Sequence, residues 1–127
     1  MATVLIVEDD QYIREMYALI LRKAGYEVAE APDGSAGLVD AKQGGFDVIL
    51  LDLMMPQMDG WQVYQQLKAD AATAEIPVIV VTAKAQNIDK VLGLHIAKVD
   101  DYISKPFSLQ ELVDRVEKVL KRHEQAA

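Results

Sequence analysis

Three short stretches limit the fold of this chain. Val4-Leu5-Ile6-Val7, Val48-Ile49-Leu50-Leu51 and Val78-Ile79-Val80-Val81 are apolar at every position. A strand wetted on one side alternates apolar with polar residues; an unbroken run is covered on both sides, as in the middle of a parallel sheet. Two further strands read differently. Glu27-Val28-Ala29-Glu30 is bordered by charge and Tyr102-Ile103-Ser104 is short, which suits sheet edges. Helical patterns fill the intervals. Ile13, Met16, Tyr17, Ile20, Leu21 and Ala24 recur at helical spacing up to Gly25. A weaker helix follows Asp33-Gly34, and a third follows Asp59 with Val63, Tyr64 and Leu67 on one face. A fourth carries Ile88, Val91, Leu92 and His95. The fifth opens on a capping box, Ser108 with Glu111, and carries Leu109, Leu112, Val113, Val116, Val119 and Leu120. The pattern is α/β: a (βα)5 chain forming a three-layer sandwich around a doubly wound, five-stranded parallel sheet.

With strands one, three and four central, two and five at the edges, and crossovers right-handed, the simplest strand order is 2-1-3-4-5. The winding reverses between strands one and three. Ligands of such sheets bind at that reversal, outside the carboxyl ends of the strands. Strand one ends in Glu8-Asp9-Asp10 and strand three in Asp52. Gathered carboxylates repel one another, so something positive must compensate, and a hard divalent cation with oxygen ligands is the natural partner. Asp10 also suits the cap of the first helix. Thr82 follows strand four, and Lys105 follows strand five ahead of Pro106. A hydroxyl and an ammonium facing a metal-bound carboxylate are what a phosphoryl group needs.

Composition narrows the partners. At 127 residues the chain is read as one domain, 1–127. Lys+Arg 13 against Asp+Glu 20 gives −7, which argues against nucleic acid and against anionic membrane as partners. Cys is 0, excluding disulfides, cysteine-ligated zinc and thiol chemistry. Met54, Met55 and Met58 beside so many carboxylates do not suggest a soft-metal site. Met1-Ala2-Thr3 runs straight into a strand without a signal peptide, and no apolar run is long enough to span a membrane, so a cytoplasmic location is expected. The start at Met1 suggests a natural beginning. The end at Ala127 leaves open a stand-alone regulator or a fragment of a longer protein.

Glu8-Asp9, Asp52-x-x-Met55-Pro56-x-x-Asp59-Gly60, Thr82-Ala83 and Lys105-Pro106-Phe107 resemble the receiver domain of two-component response regulators, the CheY-like family, over essentially the whole chain. The resemblance implies a flavodoxin-like sandwich and a set of roles. Asp52 would accept a phosphoryl group from a sensor histidine kinase or phosphotransfer protein. Asp9 and Asp52, Glu8 through water and the Met54 carbonyl would hold Mg2+, for which Mn2+ can substitute. Thr82 and Lys105 would bind phosphoryl oxygens and serve as the catalytic pair. Thr82 and Tyr102 would form the switch that alters the face of the fourth helix, fifth strand and fifth helix toward a downstream protein target. The Lys105–Pro106 bond would be cis. The domain would catalyse only its own phosphorylation and dephosphorylation, with Met54 and Lys84 tuning water access. Two departures stand out. Glu8 replaces the Asp of most members, and the stretch from Gly93 to Tyr102 is one residue longer than usual and lacks a Gly-Ala pair.

Lys90 with Glu111 and Asp101 with Arg115 resemble pairs through which some receivers dimerise, although Glu117 stands where those relatives tend to carry a basic residue. Trp61, the single Trp, is expected to be partly buried near the acceptor loop, Tyr17 and Tyr64 in the core, and His95 and His123 too isolated to be ligands. Other classes fit less well. A haloacid-dehalogenase-type phosphatase needs an acid where Met54 stands, and a flavin module needs a Ser/Thr/Gly-rich loop where Glu8-Asp9-Asp10 stands. The P-loop pattern is absent. The remaining alternative is a phosphorylation-independent interaction module of the same fold.

Overall fold

The computed structural model describes residues 2–53, 60–82 and 101–126. Five parallel strands, β1 (Thr3–Val7), β2 (Glu27–Ala31), β3 (Val48–Asp52), β4 (Val78–Thr82) and β5 (Asp101–Ser104), form one sheet in the order β2-β1-β3-β4-β5. The described helices are α1 (Gln11–Lys23), α2 (Gly34–Gln43), α3 (Gly60–Ala69) and α4 (Leu109–Ala126). The last corresponds to the fifth helix of the sequence pattern. The expected helix around Ile88–His95 lies outside the described residues, as do Met54 and Lys84.

The unbroken apolar runs are explained by two cores, one on each face of the sheet. Val4, Ile6, Val48, Leu50, Ile79, Val81 and Ile103 meet Tyr17, Ala18 and Leu21 of α1 and Leu112, Val116 and Val119 of α4. The alternate strand residues, Leu5, Val7, Ile49, Leu51, Val78 and Val80, meet Leu38 and Ala41 of α2 and Val63, Tyr64 and Leu67 of α3. The two-residue period of a strand thus assigns each neighbouring side chain to a different core.

Helix starts follow local hydrogen bonding. The Asp10 carboxylate accepts from the Ile13 N–H (3.1 Å), that of Asp33 from Ala36 (2.8 Å), and the Ser108 hydroxyl from Glu111 (3.1 Å). α1 departs from the expected pattern on one side. Met16, read as part of its inward stripe, is 45% exposed and lies with Tyr12 and Leu19 on the outer face. The helix is apolar on two faces, and the sheet covers only the one centred on Tyr17, Ala18 and Leu21.

Candidate functional site

At the carboxyl ends of the strands the ladders run on by one residue. The N–H groups of Glu8, Leu53 and Lys105 donate to the carbonyls of Ala31 (3.2 Å), Val81 (2.9 Å) and Thr82 (2.8 Å). Glu8, Asp52, Thr82 and Lys105 are therefore fixed by sheet backbone rather than by free loops. Asp52 is the last residue of β3, in register with Val81, and Thr82 the last of β4, in register with Ser104. Both are buried, as is Glu8, while Asp9 is exposed at the mouth.

One carboxylate oxygen each from Glu8, Asp9 and Asp52 lies within 4.8 Å of the others. The Lys105 ammonium stands 3.4 Å from Asp52 Oδ2 and 3.7 Å from Glu8 Oε1. Glu8 Oε2 accepts from the Asp10 N–H at 3.1 Å, whereas among the described residues its buried Oε1 accepts no hydrogen bond. Burial pushes the Glu8 carboxyl well above its ordinary range. The neighbouring Asp52 and Asp9 carboxyls push it the same way, against the opposing effect of the Asp10 N–H. A cluster of hard oxygen donors with one orphaned buried oxygen fits a divalent cation such as Mg2+.

α3 approaches this site through a residue without a side chain. A Cβ on Gly60 would lie 2.4 Å from Leu53 Cα and 2.6 Å from the Asp52 carbonyl oxygen, so only glycine lets the helix start against the end of β3. This gives Gly60 of the sequence motif a physical reason. Trp61, beside it, is half-buried and packs edge to face on Tyr64, with ring centroids 5.5 Å apart.

The structure thus brings Glu8, Asp9, Asp52 and Lys105 together and places Thr82 at the end of the adjoining strand. The Lys105–Pro106 peptide is cis. Tyr102, on the edge strand β5, is 39% exposed. Met54 lies outside the described residues, as do Asp59, Lys90 and His95. Asp101 and Arg115 pair at 2.8 Å within the one chain, and Arg115 also donates to the Tyr102 carbonyl at 3.2 Å. Sequence reasoning missed Arg14, whose guanidinium reaches the Glu8 carbonyl at 2.9 Å. No sequence signal marks it, because the pattern does not show which backbone carbonyl needs a donor.

Residues 4–117 match the family model described as the response regulator receiver domain. The chain is 45% identical over 122 residues to the sensory transduction protein RegX3 of Mycobacterium tuberculosis, covering 96% of this chain and 52% of that protein. It is 46% identical over 123 residues to the phosphate regulon transcriptional regulatory protein PhoB of Pseudomonas aeruginosa, covering 94% and 52%. The chain therefore spans about half the length of these curated relatives. Among solved structures, a CheY-like response regulator receiver domain protein from Methanospirillum hungatei superposes with a TM-score of 0.89 at 28% identity, covering 100% of this chain and 99% of that one. The chemotaxis protein CheY4 of Vibrio cholerae superposes with a TM-score of 0.83 at 32% identity, covering 94% and 98%. The chain belongs to the response regulator receiver domain family of two-component signalling.

Proposed function

We propose that residues 1–127 form a single receiver domain that accepts a phosphoryl group on Asp52 and uses it to change a partner-binding face. The observation that carries this reading is the Lys105 ammonium 3.4 Å from Asp52 Oδ2, in a site where Asp52 also shares a carboxylate cluster with Glu8 and Asp9. The donor is a phosphohistidine on a sensor histidine kinase or phosphotransfer protein. An Asp52 carboxylate oxygen attacks phosphorus, the phosphorus–nitrogen bond breaks with its electron pair passing to the leaving imidazole, and an acyl phosphate results. Lys105 offsets negative charge on the transferring oxygens, and the Thr82 hydroxyl donates to one of them. Asp9, Asp52 and the Met54 carbonyl, with Glu8 acting through water, are the proposed holders of Mg2+, which when bound supplies further charge neutralisation at the phosphoryl group. Water attack on the acyl phosphate restores Asp52, so the only reactions catalysed are the domain's own phosphorylation and dephosphorylation.

Once modified, Asp52 draws in Thr82 and makes room for the Tyr102 ring, reshaping the face around β5 and α4 toward a downstream protein or a second copy. At −7 the domain itself offers little to nucleic acid. The transcriptional role in PhoB's name belongs to a protein about twice as long. No described helix is long and apolar enough to cross a membrane. The test is direct. Wild type incubated with acetyl phosphate and Mg2+ should gain one phosphoryl mass, and Asp52→Asn should gain none; a labelled Asp52→Asn protein would refute the assignment.

A further inference from the structure

We propose that Arg14 is the positioning residue of the acidic loop, holding Glu8-Asp9-Asp10 in place so that the carboxylates are already gathered when a divalent cation arrives. The inference rests on the cation-binding reading above and assigns a role to a residue that would not touch the cation.

Arg14 grips the loop at both ends. Its backbone N–H donates to the Asp10 carbonyl at 2.9 Å, the first hydrogen bond of α1. Its Nη1 reaches back and donates to the Glu8 carbonyl at 2.9 Å. Between these points the Glu8 carboxylate accepts from the Asp10 N–H and the Asp10 carboxylate caps the helix at Ile13. On its outer side the guanidinium forms an ion pair with the neighbouring strand, Nε lying 3.4 Å from Glu30 Oε1 without hydrogen-bond geometry. Its side chain is 14% exposed, so this is an enclosed contact rather than a solvated charge. One planar group therefore ties α1, the exit of β1 and edge strand β2 together. A lysine, with donors on a single nitrogen, cannot span the same two directions.

A simple staple between α1 and β2 would affect stability alone, whereas a positioning residue also affects ion affinity. Wild type, Arg14→Met, Arg14→Lys and Asp9→Asn are titrated with Mg2+, read by Trp61 fluorescence and by the backbone amide NMR shifts of Glu8 to Asp10. Each is also unfolded with urea in EDTA. Arg14→Met should bind Mg2+ about tenfold more weakly, as expected when a residue that orients metal ligands is lost, and more weakly than its stability change in EDTA would explain. Arg14→Lys should recover only part of the affinity. Wild-type Mg2+ affinity in Arg14→Met overturns the proposal. Should that variant fail to fold, wild-type affinity in Arg14→Lys overturns it instead. If Asp9→Asn binds Mg2+ like wild type, the cation reading itself fails and takes the inference with it; weakened Asp9→Asn beside unaltered Arg14 variants sinks the inference alone.

Discussion

The charge balance of the site turns on Lys105. Its ammonium lies within 3.7 Å of two carboxylates, against a cluster of three acids. It therefore does two opposed things: it lowers the repulsion that keeps the acids apart, and it repels any second cation drawn to them. Lys105→Met should separate the two. We expect Mg2+ to bind this variant severalfold more tightly, measured by equilibrium fluorescence titration. Phosphoryl incorporation from acetyl phosphate should be about a hundredfold slower, as when one preorganised donor to developing charge is removed. Glu8, Asp9, Asp52 and Lys105 were legible in the sequence because each stands where a strand stops, and strand ends in this winding converge. Arg14 was not legible, because its importance depends on a backbone carbonyl, and sequence pattern carries no mark of which carbonyls need donors. The orphaned Glu8 Oε1 is likewise a fact of three-dimensional surroundings.

Among the elements, the strands were the easiest to read, since complete burial leaves apolar residues at every position. The end of the fourth strand was one residue off for a functional reason: Thr82 is polar, so it looks like loop, yet its backbone remains in the ladder. The outer face of α1 was misread at Met16 because apolar spacing alone does not say which of two apolar faces the sheet will cover. Gly60 and Gly37 show how differently two close approaches behave. A Cβ at Gly60 meets backbone, at 2.4 and 2.6 Å, whereas one at Gly37 meets the Val7 side chain at 2.8 Å. Backbone in a ladder cannot give, while a valine can shift slightly. Gly60→Ala should thus cost more than the ~1–3 kcal/mol usual for an overpacked site, and Gly37→Ala should fall within that range. Urea unfolding of both variants measures this, and Gly60→Ala should also slow labelling of Asp52 because it displaces the Asp52 carbonyl.

For the molecule as a whole, the two cores meet the acid site from beneath, and Tyr17 shows the coupling. Burial raises the Tyr17 hydroxyl's pKa above its ordinary 10.0, and the charges of Glu8, Asp52 and Asp10 raise it further. The folded protein thus keeps this proton at pH values where the unfolded chain has released it. The stability this contributes is complete below about pH 10 and is lost as pH climbs beyond it. Urea unfolding at about pH 8 and about pH 11 should show wild type losing more stability than Tyr17→Phe over the same interval. The Asp101–Arg115 contact has a different bearing, on how two copies could meet. That pair is already closed inside each chain, at 2.8 Å. Trading it across a twofold axis swaps like for like and leaves the tally of opposite charges in contact unchanged. In any such assembly, electrostatics would choose the mate, and grip would have to come from the apolar surface the two faces hide from water.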